Sequence, residues 1–282
     1  MCLAETHEAV RERLDAPTHQ HQGTPVSRRA VIAGGLGVSI GALAIPSTAA
    51  AAPRSRRMRD LTWTFSASFP VFVDGEEATR STHVTIEENG YYLQRWTFYE
   101  HTATHMDAPG HFARNGRLSP DISLDELLVP AVVIDISDKV ASDSDAEVTV
   151  DDLIRYERRH GRIARRSAVL MYSGWETRAG STELYRGTDG SGVYHFPGFD
   201  LEAIEWLVER RNITGIGVDT LSLDHGPSAT FDVHVGLLGA DRWGLENLRN
   251  TGTIPPRGAE IFVGLVPWEQ GSGGPCRVIA RW

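Results

Sequence analysis

Apolar and polar positions along the chain follow two rhythms, one of two residues and one of about 3.6, which predict strands and helices in alternation. Val71–Val73 and Thr82–Ile86 read as short strands, and Tyr91–Phe98 as a longer aromatic one. Val129–Ile136 and Ala168–Tyr172 have the length and β-branched or apolar content of buried strands. Between them, Val150–His160 spaces Leu153, Ile154 and Tyr156 as a helix does, with Thr149 or Asp151 available as N-cap. Asp200–Arg211 sets Leu201, Ile204, Leu207 and Val208 on one helical face, and a strand over Ile213–Val218 follows at once. Ile261–Val266 and Val278–Ala280 close the chain as strands. The first half is mainly β and the second alternates, with no internal repeat and no linker, so the pattern predicts one mixed α/β domain.

The first fifty residues do not join this pattern. Residues 1–26 are polar, Ser27-Arg28-Arg29 follows, and then comes an apolar Gly/Ala-rich run from Ala30 to Ile45. Pro46 and the string Ala49–Ala52 come next. This is the order of a secretory leader of the twin-arginine type. The run is too short and too weakly apolar for a membrane anchor, and Gly34, Gly35, Gly37 and Gly41 weaken any buried helix there by roughly 1 kcal/mol each. The expectation is a leader over 1–52 handled by the twin-arginine translocase, a domain over 53–282, and a secreted or extracytoplasmic protein.

Composition narrows the partners. A net charge of −9 over 282 residues argues against nucleic acid or an anionic membrane, which need clustered cations. Two cysteines, Cys2 and Cys276, are too few for a disulfide framework or a Cys-rich zinc module.

One stretch concentrates the chemistry. His101-Thr-Ala-Thr-His105-Met-Asp107-Ala-Pro-Gly-His111 holds three imidazoles and a carboxylate, all at odd positions. An extended segment would put His101, Ala103, His105 and Asp107 on one face, whereas a helix would swing Asp107 away and meet Pro109. Nitrogen and carboxylate donors together suit a borderline divalent ion such as Zn²⁺ or Mn²⁺. Pro109-Gly110 should turn the chain and leave His111 facing the substrate side. No Gly-x-Ser-x-Gly elbow occurs, which disfavours serine catalysis.

His-x-Ala-Thr-His-x-Asp-x-Pro-x-His resembles the signature of the cyclase-like metal hydrolases, a family that includes bacterial kynurenine formamidase and isatin hydrolase. A second block agrees in order: Gly217–Asp224, then His234-Val-Gly-Leu-Leu, then Glu246-Asn-Leu. The resemblance runs from about Asp60 to the C-terminus. It implies a swivelling β/α/β fold with a central barrel-like or mixed sheet flanked by helices. It also implies one or two Zn²⁺ or Mn²⁺ ions held by His101, His105, Asp107, His234 and Glu246, with His111 as general acid/base. Phe72 stands where the kynurenine formamidases carry a substrate-facing Trp, and Ala103 where the family has Gly, which would put one methyl toward the metals. Trp175 and His195 are further expected pocket residues. Asp219, Ser222 and Asp224 read as supporting or turn residues. The implied activity is hydrolysis of a C–N amide bond in a small aromatic, N-acyl or cyclic amide by metal-activated water, in a homo-oligomer, dimer or tetramer. A cyclase or lyase using the same site, or a non-catalytic metal- or ligand-binding protein, remain the alternatives.

Overall fold

A computed structural model describes residues 57–282. The expected leader, with its arginine pair, lies outside the described residues. Among the described residues twelve strands occur: β1 Met58–Asp60, β2 Thr79–Val84, β3 Leu93–Thr97, β4 His105–Asp107, β5 Leu128–Asp135, β6 Glu147–Val148, β7 Ala168–Tyr172, β8 Gly198–Phe199, β9 Gly215–Gly217, β10 Trp243–Glu246, β11 Ala259–Leu265 and β12 Gly273–Arg281.

Seven of them close a barrel in the order β12-β11-β5-β7-β9-β10-β4, because β4 pairs with both β10 and β12. The run from β5 through β7 and β9 to β10 is parallel, and the other pairs are antiparallel. Parallel neighbours need crossovers, and helices supply them: α1 Val150–His160 before β7, α2 Leu201–Trp206 before β9, and α3 Asp232–Gly239 before β10. β1 extends the sheet beyond β12.

Alternation along each strand divides the apolar side chains between two cores. Val129, Ala131 and Val133 of β5 join Ala168, Leu170, Leu245, Met106, Ile261 and Val278 in the barrel interior. Val132 and Ile134 point the other way, to Leu153, Leu207 and Leu237 of the helical layer. A third, smaller core gathers Phe69, Ala103, Trp175, Tyr185, Phe196 and Leu221. No helix among the described residues is long and apolar enough to cross a membrane.

β2 and β3 form a two-stranded sheet of their own. Of the described residues, those up to Ser81 and those from Arg95 to Trp282 make one compact unit, which contains the barrel, whereas Thr82–Gln94 is grouped in a second. Its one-turn helix, Ile86–Asn89, replaces the end of the expected Thr82–Ile86 strand, since Thr85 Oγ1 accepts from Glu88 N–H and Gly90 closes the turn at φ 76°. The aromatic strand shortens to Leu93–Thr97. Val71–Val73 is not a strand: no ladder partner reaches it, and the carbonyls of Val71 and Phe72 are taken by side chains instead. The expected helix over Asp200–Arg211 forms, but its last turn, Leu207–Arg211, widens to a π-helix ending at Asn212 with φ 50°.

Candidate metal centre and cavity

Register assembles the site. On β4 the middle residue, Met106, is fully buried in the barrel interior, so His105 and Asp107 face outward. Glu246 pairs directly with His105 across the β10–β4 ladder, and Leu245 beside it faces inward. On the other side Gly273 pairs with Asp107. A Cβ at Gly273 would stand 2.1 Å from Met106 O and 2.9 Å from His101 Cε1, so only glycine lets β12 approach here.

His101 reaches the same point by a different route from the extended face expected for it. Residues 100–103 bend, and Ala103 takes φ 56°, in the left-handed region. That turn throws the Ala103 methyl into the third core rather than toward the donors. It also aims the Ala103 carbonyl at His105 Nδ1–H, 2.9 Å away, and at the Asn247 amide, also 2.9 Å. With Nδ1 donating, Nε2 is the ring nitrogen of His105 turned toward the carboxylates.

The donors then converge. His105 Nε2 lies 3.2 Å from Asp107 Oδ1 and 3.3 Å from Glu246 Oε2. His234, on α3, donates from Nδ1 to Asp224 at 2.6 Å and presents Nε2 at 3.2 Å from Glu246 Oε1 and 3.6 Å from Asp107 Oδ2. Ser272 donates to Glu100 at 2.6 Å and so can accept from His101 Nε2–H at 2.9 Å. His101 Nδ1 lies 2.6 Å from Asp107 Oδ1, a contact that a proton on Nδ1 or a cation between the two would satisfy.

Burial makes the electrostatics severe. His105, Asp107, His234 and Glu246 are all buried. Burial alone would push the His105 pKa down, but Asp107 and Glu246 overrule it and raise it to about 9. Burial would likewise keep Asp107 neutral, and His105, His101 and His234 instead hold its carboxyl well below the ordinary range. Two buried carboxylates thus call for cationic charge at one point. In the ion-free chain protonated imidazoles supply it, and a divalent ion would supply it in their place.

The fit to such an ion is supported by two orphaned atoms: His105 Nε2 and Asp107 Oδ2 are buried with no hydrogen-bond partner. Donor atoms of His105, Asp107 and Glu246 lie within 4.8 Å of one another, and so do those of His101, Asp107 and His111. The His-to-carboxylate and His-to-carbonyl bonds behind His234 and His105 are of the kind that orients metal ligands.

A cavity of about 470 Å³ opens over these groups. The Pro109–His111 turn brings His111 over His101, rings stacked at 3.8 Å and 21°. Burial pushes its pKa down to about 4, with Asp107 pulling the other way, so the imidazole is neutral near pH 7. Phe72, Phe112 and Phe231 form the apolar wall, Phe112 lying 4.7 Å from the His234 ring. Phe112 and Phe231 escaped notice in the sequence, although each stands within three residues of a site histidine. Ser222 also lines the cavity, whereas Asp219 lies behind it. Burial raises the Asp219 pKa to about 7, against the donors Ser173 Oγ–H, Ser173 N–H and Gly174 N–H.

Two expected pocket residues do not line the cavity. Trp175 is buried in the third core, its indole N–H donating to Tyr185 O at 2.7 Å and its ring covered by Arg178 at 3.6 Å. His195 lies between Asp145 and Asp189, whose carboxylates capture it at 2.7 and 3.5 Å.

A family model described as "Putative cyclase" matches residues 59–225. Isatin hydrolase of Roseibium aggregatum is 32% identical over 189 residues, spanning 64% of this chain and 71% of that protein. Kynurenine formamidase of Erythrobacter litoralis is 25% identical over 227 residues, 80% of this chain and 94% of that one. Among solved structures, isatin hydrolase A from Ralstonia solanacearum aligns with a TM-score of 0.76 at 35% identity, covering 80% of this chain and 92% of its own. An isatin hydrolase bound to the product analogue thioisatinate aligns with a TM-score of 0.76 at 26% identity, over 80% and 92% of the two chains. With a matching family model over most of the folded unit and a barrel shared with these hydrolases, the chain belongs to the cyclase family.

Proposed function

We propose that the protein is a metal-dependent hydrolase that opens the C–N amide bond of a small aromatic N-acyl or cyclic amide. The observation that carries this reading is the pair of unpartnered buried atoms, His105 Nε2 and Asp107 Oδ2, at the base of a cavity walled by phenylalanines. The similarity to isatin hydrolases and kynurenine formamidases supports it.

His101, His105, Asp107, His234 and Glu246 would hold one or two ions, Zn²⁺ or Mn²⁺. When bound, such an ion lowers the pKa of water toward 7 and draws charge from an amide carbonyl. Phe72, Phe112 and Phe231 orient the ring of the substrate and keep bulk water from it. His111, neutral and facing the same cavity, takes a proton from the attacking water at its free ring nitrogen and delivers it to the departing amide nitrogen.

Elemental analysis combined with assays on formanilides and isatins tests the reading. Wild type should carry one or two ions and lose activity on chelation. His105→Ala should lose ion and activity together. His111→Ala should keep its ion and lose roughly 10²- to 10⁴-fold in kcat. Loss of the ion from a folded His111→Ala variant would make His111 a ligand, and full metal content without turnover of any amide would remove the hydrolase reading.

A further inference from the structure

We infer that Arg186, which does not line the cavity, is a positioning residue that sets Phe72 against the aromatic part of the substrate; the inference rests on the hydrolase reading above.

The segment Pro70–Val73 forms one side of the cavity and has neither helix nor strand to hold it. Its own backbone offers one weak turn, Glu76 N–H to Val73 O at 3.3 Å. What fixes it comes from more than a hundred residues away. Arg186 Nε–H donates to Val71 O at 2.8 Å, and its Nη1 group to Asp74 Oδ1 at 2.6 Å. Between these two anchors, the Tyr194 hydroxyl donates to Phe72 O at 2.9 Å. Three bonds therefore bracket Phe72 on both sides and at its own carbonyl.

The clasp is itself rigid. Arg186 ends the short helix Thr182–Arg186, and Gly187 turns the chain at φ 59°. A Cβ at Gly187 would lie 2.2 Å from His195 O, so the returning chain passes where only glycine leaves room. His195 N–H donates back to Arg186 O at 2.9 Å. The Tyr194 ring lies 5.2 Å from the guanidinium and meets the Phe72 ring edge-on at 5.3 Å. Phe72 then passes the constraint on to Phe231, 5.9 Å away. Backbone and ring of Phe72 are held by one unit.

The three bonds are not equal. The Arg186 side chain is 8% exposed and that of Asp74 is 85% exposed, so water competes for the carboxylate and the ion pair adds little. Val71 is buried, and the bond to its carbonyl has no solvent substitute. A guanidinium is needed because its fork serves a carbonyl and a carboxylate at once, which an ammonium at the same site does not. A buried cation spent on an irregular loop, rather than on the barrel, points to the position of that loop as its purpose.

Two measurements on Arg186→Gln, Phe72→Ala and the double variant test this. In the substrate-free protein, amide hydrogen exchange over residues 70–76 should speed up in Arg186→Gln while the barrel strands stay protected. With an aryl amide substrate, KM should rise roughly tenfold with kcat within about threefold, since losing an oriented aromatic contact is an effect of that size. In the Phe72→Ala background the same substitution should add less than about twofold, and Asp74→Asn alone should leave KM near wild type. If Arg186→Gln fails to fold, Arg186→Lys and Tyr194→Phe carry the same readouts. Unchanged exchange at 70–76, or an undiminished KM penalty in the Phe72→Ala background, overturns the inference. A wild-type protein that hydrolyses no aryl amide overturns the hydrolase reading instead, and the exchange data alone then decide the clasp.

Discussion

Ala103 adopts φ 56°, a conformation that costs an L-residue with a Cβ roughly 1–2 kcal/mol. The turn is needed there because the Ala103 carbonyl must meet both His105 Nδ1–H and the Asn247 amide. Glycine would relieve the strain, but it would remove a buried methyl worth about 0.8 kcal/mol and add unfolded-state entropy. The opposing terms nearly cancel, so Ala103→Gly should change stability by less than about 1 kcal/mol. Ala103→Val, branched at Cβ and crowded in the third core, should cost about 2 kcal/mol or more. Urea denaturation of the two variants decides it, and equal costs would mean the backbone there is relaxed. The residue scale is also where the sequence was most legible. His101, His105, Asp107, His111, His234, Glu246 and Phe72 all line one cavity, because short spacing and family order constrain them. Trp175 and His195 lie outside it: Gly174 beside the one and Pro197 near the other mark turns, but a turn does not say which of its sides faces the cavity.

Among the elements, α3 shows how a site histidine is aimed. Its first turn has no capping side chain of its own, and Phe231 enters it at φ 52°. Asp224, from the preceding loop, accepts from Val233 N–H at 2.8 Å and His234 N–H at 3.2 Å, and also from the His234 ring. One carboxylate therefore caps the helix and orients the imidazole. Asp224→Ala should destabilise the ion-free protein by about 1–2 kcal/mol, the worth of a good cap. It should also weaken metal binding by about 10- to 100-fold, as loss of an orienting carboxylate does. Denaturation of the ion-free form and a competitive metal titration separate the two effects, and unchanged affinity would mean that His234 needs no orienting partner. The helix itself is hard to read from sequence: Val235 is exposed yet as apolar as buried Val233, Leu237 and Leu238, so no amphipathic stripe marks it. β10 was missed for a related reason, since all four residues of Trp243–Glu246 are buried and a run that short shows no alternation. By contrast α1 and β7, with clear spacing and bounded ends, form over the residues their patterns predict.

Taken whole, the molecule closes its barrel through the strand that carries its chemistry. β4 is only three residues long, yet it pairs with both β10 and β12 and supplies His105 and Asp107. No local signal could reveal this closure, because it depends on pairings across more than a hundred residues. Glu246 comes from β10, His234 from the helix before it, and His101 is tied through Ser272 to the start of β12. An ion bound by these side chains would therefore pin the closing strand to both of its neighbours. Without it, the two buried carboxylates rely on imidazoles kept protonated against the cost of burial. Binding to the folded chain alone stabilises it by about 2.7 kcal/mol at a hundredfold excess over Kd. For a unit of this size each kcal/mol moves Tm by about 2–4 °C, so chelation should lower it by roughly 5–10 °C. His105→Ala should melt at one temperature with or without chelator, whereas Arg186→Gln, whose clasp lies away from β4, should keep the full shift. Calorimetry on ion-loaded and ion-stripped samples checks this, and a wild-type Tm unmoved by verified removal of the ion would mean that the barrel closes without help from its site.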